Sequence, residues 1–117
     1  MEAIAISNSL RQSPRKMRKS LNSIRNLDVS SALDHLHFSK EKASKLIECT
    51  IKSAVANLTV KNNNESFDLA ELIIKEAYVN GGPVMKRFRA ASMGRASRLR
   101  RPTSHLTVIL KSEKKRV

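Results

Sequence analysis

The sequence has few residues of several kinds, and each shortage excludes a class of protein. Cys49 is the only cysteine among 117 residues, so an internal disulfide framework is impossible and a reducing, cytoplasmic compartment is expected. There is no tryptophan, one tyrosine and three phenylalanines, too few for the stacked aromatic platforms of single-strand nucleic-acid binders. The sequence contains no run of about 18 apolar residues, so no membrane span is predicted. The acidic Glu2 stands where a targeting peptide would be basic, and no apolar segment of the kind found in such peptides follows it. We therefore expect no targeting peptide.

Acidic residues are also scarce. The chain has ten Asp and Glu against 23 Lys and Arg, for a formal net charge of +13. Residues 1–25 carry six basic and one acidic side chain, residues 26–80 carry six and eight, and residues 81–117 carry eleven and one. Positive charge of this size attracts polyanions. We therefore predict a nucleic-acid partner that contacts the two ends of the sequence, with no membrane and no small-molecule substrate.

Side chains that carry catalysis or bind metals do not form a recognisable group. His35 and His37 are two positions apart, which separates them on a helix surface, and no Cys or carboxylate cluster completes a zinc site. The adjacent Ser104 and His105 would point to opposite faces of a strand. Cys49 has no activating neighbour in the sequence. We predict a protein that is not an enzyme, with no catalytic residue, no metal and no cofactor.

Apolar periodicity predicts an α+β fold. The predicted strands are residues 3–6, 69–79 and 105–110, and the predicted helices are residues 10–25, a short helix after residue 28, and residues 39–60. Ser13 and Pro14 supply an N-cap and a first-turn proline to the first helix. Ser31 and Asp34 are spaced like a capping box in the second. We expect a small three-stranded antiparallel sheet packed on about three helices.

The predicted helices each have an apolar face. The longest helix has the clearest one, because its apolar residues recur at spacings of three and four and leave Cys49 on the opposite side. The residues expected to be buried are Met17, Leu21 and Ile24 on the first helix, Leu33 and Leu36 on the second, and Ala43, Leu46, Ile47, Ile51, Ala54, Val55 and Leu58 on the third.

The connection before the last strand is long and free of acids. Residues 81–102 contain seven basic residues, namely Lys86, Arg87, Arg89, Arg95, Arg98, Arg100 and Arg101. Repulsion among these cations favours an extended form that an anion neutralises. Folded back near Gly94, the segment would form a protruding β-hairpin of roughly 30 Å at about 3.3 Å per residue. We predict one domain over residues 1–117, with a globular body at 1–80 and 103–112, an extended hairpin at 81–102 and a basic tail at 113–117.

An ordered set of motifs gives the chain a family resemblance. The motifs are Arg11, Ser13-Pro14, Lys16 and Arg18, then Gly82-Pro83-Val84-Met85-Lys86-Arg87, then Gly94-Arg95-Ala96, then Thr103-Ser104-His105-Leu106-Thr107-Val108-Ile109. Over nearly its whole length the chain resembles the bacterial large-subunit ribosomal protein twenty-two family. It departs from the usual pattern at Ala90, Ala91 and Met93.

The resemblance implies a structural constituent of the large ribosomal subunit that binds rRNA and assists assembly. The body would lie on the subunit surface, and the hairpin tip would line the peptide exit tunnel. The implied partners are large-subunit rRNA, neighbouring large-subunit proteins and the nascent peptide. The expected rRNA-binding residues are Arg11, Arg15, Lys16, Arg18, Lys19, Arg95, Arg98, Arg100 and Arg101. The expected tunnel-lining residues are Met85, Lys86, Arg87, Phe88, Arg89, Ala90 and Ala91.

One alternative remains open at this point. A free architectural protein that binds DNA or RNA would show the same charge distribution and the same salt-dependent binding to phosphates. Co-sedimentation with the large ribosomal subunit separates the two functions.

Overall fold

The secondary structure comes from a computed structural model of the chain, which describes residues 2–62, 68–90, 92–94 and 96–112. The strands and helices are, in chain order, β1 (Glu2–Leu10), α1 (Pro14–Asn22), α2 (Val29–Phe38), α3 (Lys42–Lys61), β2 (Leu72–Gly81), β3 (Met85–Ala90), β4 (Ala96–Arg101) and β5 (Ser104–Ser112). Short 3-10 turns occur at Leu69–Glu71 and Ser92–Gly94. This mixture confirms the predicted α+β class.

The strand β5 is the centre of an antiparallel three-stranded sheet with the order β1-β5-β2. Its alternate residues Leu106, Val108 and Leu110 are fully buried, because side chains two residues apart on a strand share one face. Ala3 and Ala5 of β1 lie opposite Leu110 and Val108 and are also buried. The helices cover this inner face, and the predicted sheet is confirmed.

The core forms where the helices pack on the inner face of the sheet. α3 contacts β1 and β5, while α1 contacts β2 and α3. The buried helix residues include Met17, Leu21, Ile24, Leu36, Ala43, Ile47, Ile51, Ala54 and Leu58, and Leu33, Leu46 and Val55 are half-buried against them. Cys49 is exposed. The predicted apolar faces of the helices are therefore confirmed.

The first helix begins later than predicted. Leu10 is the last residue of β1 and pairs with Ser104 of β5. α1 begins at Pro14, and the Ser13 Oγ accepts a hydrogen bond from the Lys16 backbone N–H at 3.4 Å. The N-cap assigned to Ser13 is confirmed, whereas the residues before it are strand and bend because β5 supplies a pairing partner that helical periodicity does not reveal.

The second helix begins after residue 28 as predicted, but its cap and the start of the third helix were predicted wrongly. Asp28, not Ser31, is the N-cap of α2, so the expected capping box is absent and Ser31 lies in the first turn. Ser39 is the C-cap of α2 and not the start of α3. The strand β2 likewise begins at Leu72, after a 3-10 turn that the apolar composition had suggested was strand. Propensity is similar on both sides of each boundary, so tertiary contacts decide the start.

The acid-free connection contains a two-stranded antiparallel ribbon. Among the described residues, β3 and β4 pair with each other and form a sheet separate from the body sheet. The register runs from Met85 opposite Arg101 to Ala90 opposite Ala96. At the turn, Met93 and Gly94 have φ values of 61° and 75°, a left-handed conformation that glycine adopts without steric cost. The longest dimension of the chain is 73 Å, against 25 and 18 Å for the other two.

A hydrogen-bond network fixes the base of this ribbon to the body. The Gly82 N–H donates to the Thr103 carbonyl at 2.9 Å, and the Thr103 hydroxyl donates to the Pro83 carbonyl at 2.6 Å. His105 Nδ1 accepts a hydrogen bond from the Ser9 N–H at 3.0 Å. A Cβ atom on Gly82 would lie 2.5 Å from the Thr103 hydroxyl oxygen and 3.2 Å from the His105 ring. Only glycine fits position 82 without displacing these groups.

The burial pattern of α3 predicts which substitutions unfold the body. Ile51→Ala removes a fully buried side chain and should lower the free energy of unfolding by roughly 2 to 5 kcal/mol through lost transfer energy and a residual cavity. Cys49→Ser, on the exposed side of the same helix, should change it far less. Chemical denaturation of both variants measures the difference. Equal destabilisation would show that the assigned buried face is wrong.

The crowding at Gly82 predicts a difference between two adjacent glycines. Gly82→Ala should lower the free energy of unfolding by about 1 to 3 kcal/mol, a common cost of overpacking, and should speed amide exchange at residue 82 because the Thr103 contacts must shift. Gly81→Ala is the matched control, since its added Cβ would lie 4.0 Å from the nearest atom, Pro14 Cγ. Denaturation and hydrogen exchange measure both. Equal effects of the two variants would refute the crowding.

Candidate nucleic-acid interface

Two basic segments that are far apart in the sequence meet in one groove. An open groove of about 860 Å³ lies between the start of α1, the start of α3 and the base of the β3–β4 hairpin. Its cationic lining residues are Arg11, Lys16, Lys19, Lys42, Arg87, Arg100 and Arg101. We call this site the basic groove. Among the described residues that line it, Glu41 is the only acid, so the groove is strongly cationic.

The fold of α1 directs its lysines toward the basic groove. Met17 and Leu21 are buried in the core, and this orientation leaves Lys16 and Lys19 on the solvent side of the helix, since their positions lie away from the buried stripe. Arg11 lies in the bend between β1 and α1. Ser13 and Pro14 fix the start of α1 and therefore the position of Lys16 and Lys19 in the basic groove.

The single acid of the groove is already engaged by neighbouring residues. The Ser20 hydroxyl donates a short hydrogen bond to Glu41 Oε2, and Lys19 Nζ lies 3.7 Å from Glu41 Oε1. These contacts join α1 to the residue that precedes α3, and thereby bring Lys42 to the groove. An exposed ion pair at this distance adds little stability. Glu41 thus holds α1 beside the start of α3 and neutralises only a small part of the positive charge of the basic groove.

The hairpin base supplies the opposite wall. Lys86 pairs with Arg100, and Met85 pairs with Arg101. Arg87 Nη1 donates to the Lys86 carbonyl at 3.0 Å, which holds its guanidinium close to the strand. Cations this close in a paired ribbon repel one another, so bound anions stabilise the arrangement.

The position of the predicted tip residues needs correction. Met85, Lys86 and Arg87 were expected at the hairpin tip, but their pairing with residues 99–101 places them at its base. Phe88 lies farther along β3, opposite Arg98, and is exposed. The sequence motif marks where the hairpin begins, and only the register reveals how far each residue lies from the turn.

The predicted rRNA-binding residues fall into three sets. Arg11, Lys16, Lys19, Arg100 and Arg101 line the basic groove. Two others lie on α1 outside its lining, where Arg15 is exposed and Arg18 Nη2 donates to the Val79 carbonyl at 2.8 Å, which ties α1 to β2. The remaining two are Arg95, which lies outside the described residues, and Arg98, whose side chain does. Of the predicted tunnel-lining residues, Ala91 and the side chains of Arg89 and Ala90 also lie outside the described part of the chain.

Sequence reasoning missed Lys42 as a groove residue. Lys42 lies off the buried face of α3, but nothing local indicates that residue 42 lies near residue 16. The contact between Ser20 and Glu41 creates that proximity, and it exists only in the folded chain.

The chemistry of the basic groove suits phosphate groups. Arginine binds phosphate oxygens with two parallel hydrogen bonds, and lysine acts as a compact point charge. No aromatic side chain is among the described lining residues, so stacking on bases is not provided there. Such contacts hold a nucleic-acid backbone without reading its sequence.

Two other kinds of site are absent from the described ranges. Over residues 2–62, 68–90, 92–94 and 96–112, no three His, Cys, Asp or Glu side chains lie close enough together to hold a metal ion. In the same ranges, no helix has the length and apolar composition needed to cross a membrane.

Comparison with known proteins identifies the family. The family described as Ribosomal protein L22p/L17e matches residues 5–111. Three similar proteins are each named Large ribosomal subunit protein uL22. The one from Leptospira biflexa is 44% identical over 117 residues, covering 100% of this chain and 99% of the relative. The one from Halothermothrix orenii is 43% identical over 115 residues, covering 98% of each chain. The one from Citrifermentans bemidjiense is 43% identical over 114 residues, covering 97% of this chain and all of the relative.

These matches confirm the resemblance that the motifs indicated. The alignments span the body and the hairpin alike, and the family is a structural component of the ribosome and not an enzyme. The predicted location in the large ribosomal subunit is confirmed as well. This chain belongs to the Ribosomal protein L22p/L17e family of large-subunit proteins.

Proposed function

We propose that this chain binds large-subunit rRNA through the basic groove and the hairpin that extends from it. The observation that carries the proposal is the convergence of seven cations from three segments of the chain on one groove. A phosphate backbone lying there would contact α1, α3 and the hairpin base at the same time. The bound RNA thereby fixes the direction of the hairpin relative to the body.

A role in subunit assembly follows from the same electrostatics. The cations of the groove repel one another in the free protein, and rRNA phosphates remove that repulsion on binding. A protein that holds separate RNA segments on its body and along its hairpin lowers the entropic cost of bringing those segments together. We therefore assign this chain to the proteins that organise rRNA while the subunit forms.

The proposal also assigns the far end of the hairpin to the peptide exit tunnel, where it would contact the nascent peptide. Beyond the cationic base, the exposed side chains include Phe88 and Met93, the latter 99% exposed at the turn. Apolar side chains at the end of an extended arm suit contact with a passing peptide, while the cations behind them suit RNA. Because Met85, Lys86 and Arg87 lie at the base of the hairpin, this assignment is limited to Phe88 and the residues that follow it toward the turn at Ser92–Gly94.

Co-sedimentation tests whether the chain is a subunit component or a free nucleic-acid-binding protein. We expect the tagged full-length chain to sediment with the large subunit at about one copy per subunit, and to remain bound after a moderate salt wash, because the groove and the hairpin together make several phosphate contacts. Quantitative mass spectrometry of gradient fractions measures this. Recovery of the chain mainly in free fractions or on DNA would support the free architectural protein instead.

A salt titration tests whether the groove cations contact phosphate. Replacing Lys16, Arg100 and Arg101 together with Gln should flatten the plot of log K against log salt, for binding to a large-subunit rRNA fragment, by about 2 to 3 units. The reason is that each phosphate contact contributes about 0.7 to 0.9 units to the slope of that plot. The body should still fold, because all three side chains are exposed.

The matched control removes the same charge elsewhere. Arg25, Lys40 and Lys45 are exposed and lie outside the lining of the basic groove, so their triple replacement with Gln should change the slope by less than about one unit. If both triple variants changed the slope equally, binding would depend on net charge and the groove would have no special role.

A further inference from the structure

The face of the body sheet that the helices leave uncovered carries an apolar patch. Ile4 and Ile6 of β1 are 50% and 60% exposed, and Tyr78 of β2 is 44% exposed. Between them, β5 contributes Ile109, which is half-buried opposite Ile4, and Thr107, which lies opposite both Ile6 and Tyr78 and is buried between them. Directly opposed residues on neighbouring strands lie about 5 Å apart. These five residues therefore form one continuous surface, which we call the open-face patch.

This surface differs from the scattered apolar residues found on any protein. Single exposed apolar side chains, such as Phe38 and Val60 on the helices, are common and need no partner. The open-face patch instead spans all three strands in register. The core is already complete on the inner face of the sheet, so no residue of the patch is needed to close it.

The outer edge of β1 is closed against strand addition. The Asn57 side-chain amide donates to the Ile4 carbonyl at 2.9 Å, and Lys61 Nζ donates to the Glu2 carbonyl at 2.9 Å. Both donors come from the last turns of α3. A partner strand that paired with β1 would have to displace them.

The outer edge of β2 is occupied in the same way. Arg18 donates to the Val79 carbonyl at 2.8 Å, and Asp28 forms an antiparallel bridge with Ile73. A bulge between Ile74 and Glu76 interrupts the register of the strand. Because both edges are occupied, a partner reaches this sheet through its open face and not by extending it.

The described margin of the open-face patch carries much less net charge than the basic groove. Lys75 Nζ donates to Glu2 Oε1 at 2.8 Å. That hydrogen bond lowers the pKa of the Glu2 carboxyl and raises the pKa of the Lys75 ammonium, so both groups are charged at neutral pH. Lys111 lies opposite Glu2, and Glu76 lies opposite Ile109. With Lys61 at the β1 edge, the described rim has three bases and two acids, a net charge of +1. The seven cations and one acid that line the basic groove give +6, so the rim attracts a phosphate backbone far less.

We propose that the open-face patch is a protein-docking surface, and that its occupant is another protein of the large ribosomal subunit that presents apolar side chains within a polar rim. An apolar centre within a polar rim of low net charge is the composition of a protein–protein interface, whereas an RNA-binding surface is strongly cationic. The inference rests on the proposed function insofar as it places the chain inside the subunit. It divides the body into an RNA-binding side and a protein-binding side.

Site-directed photo-crosslinking in purified large subunits tests this division. A photoreactive phenylalanine analogue replaces Tyr78 in the open-face patch, and in a separate variant it replaces Lys16 in the basic groove. We expect the adduct from position 78 to contain a large-subunit protein, identified by mass spectrometry, and the adduct from position 16 to contain rRNA. Crosslinking at position 16 tests the proposed function, and crosslinking at position 78 tests the docking surface. Either can therefore fail without the other.

A pair of substitutions tests whether the isoleucines create the affinity. Ile4→Thr combined with Ile6→Thr removes apolar area while retaining the β-branched side chains that strands favour. In salt-washed subunits, this double variant should lower the yield of the position-78 protein adduct by about tenfold, which corresponds to roughly 1.4 kcal/mol. Val60→Thr, at a residue 68% exposed on α3 outside the patch, should leave the yield unchanged. Thermal melts of the free variants confirm that each body folds.

The outcomes that overturn the inference are distinct from one another. An rRNA adduct at position 78 would make the open face a second RNA-binding surface. An adduct with a second copy of this chain would make it a self-association surface, and no adduct would leave it facing solvent in the subunit. An adduct yield that falls equally with the double variant and with Val60→Thr would show that the isoleucines do not form the contact.

Discussion

The apolar face of α3 packs on the inner face of β1 and β5, and most other features of the body depend on this contact. Ile47, Ile51 and Leu58 are fully buried there, and burial of side chains of this size is the dominant favourable term in folding. The packing also fixes both ends of the helix. Its first residues are held beside α1, where Lys42 joins the basic groove, and its last turns cover the edge of β1 through Asn57 and Lys61.

The charge distribution becomes intelligible once this body is in place. The acids are concentrated in the middle of the sequence, and the fold brings the cations of residues 11–19 beside those of the hairpin base. Concentrated positive charge reduces the stability of a free protein through repulsion. Under the proposed function, rRNA phosphates remove that repulsion, so the sequence retains cations that an isolated domain would not favour.

The structure separates two kinds of surface by the elements that build them. The basic groove is made by the starts of α1 and α3 with the hairpin base, while the open-face patch is made by the uncovered side of the sheet. Arg18 illustrates how closely the two are connected. It lies in a basic segment that suggested RNA contact, yet its guanidinium closes the β2 edge. One cation of that segment therefore supports the body fold directly.

The sequence alone determined the family, the α+β class, the buried face of each helix and the position of the acid-free hairpin segment. These depend on local periodicity and on ordered motifs, both of which are visible along the chain. Only the tertiary structure decided that Leu10 belongs to β1, that Met85 lies at the hairpin base and that Lys42 faces the groove. Each of these depends on a partner distant in sequence: β5 for Leu10, Arg101 for Met85, and the pairing of Ser20 with Glu41 for Lys42. Strand pairing and groove formation are long-range interactions, so no local pattern of residues encodes them.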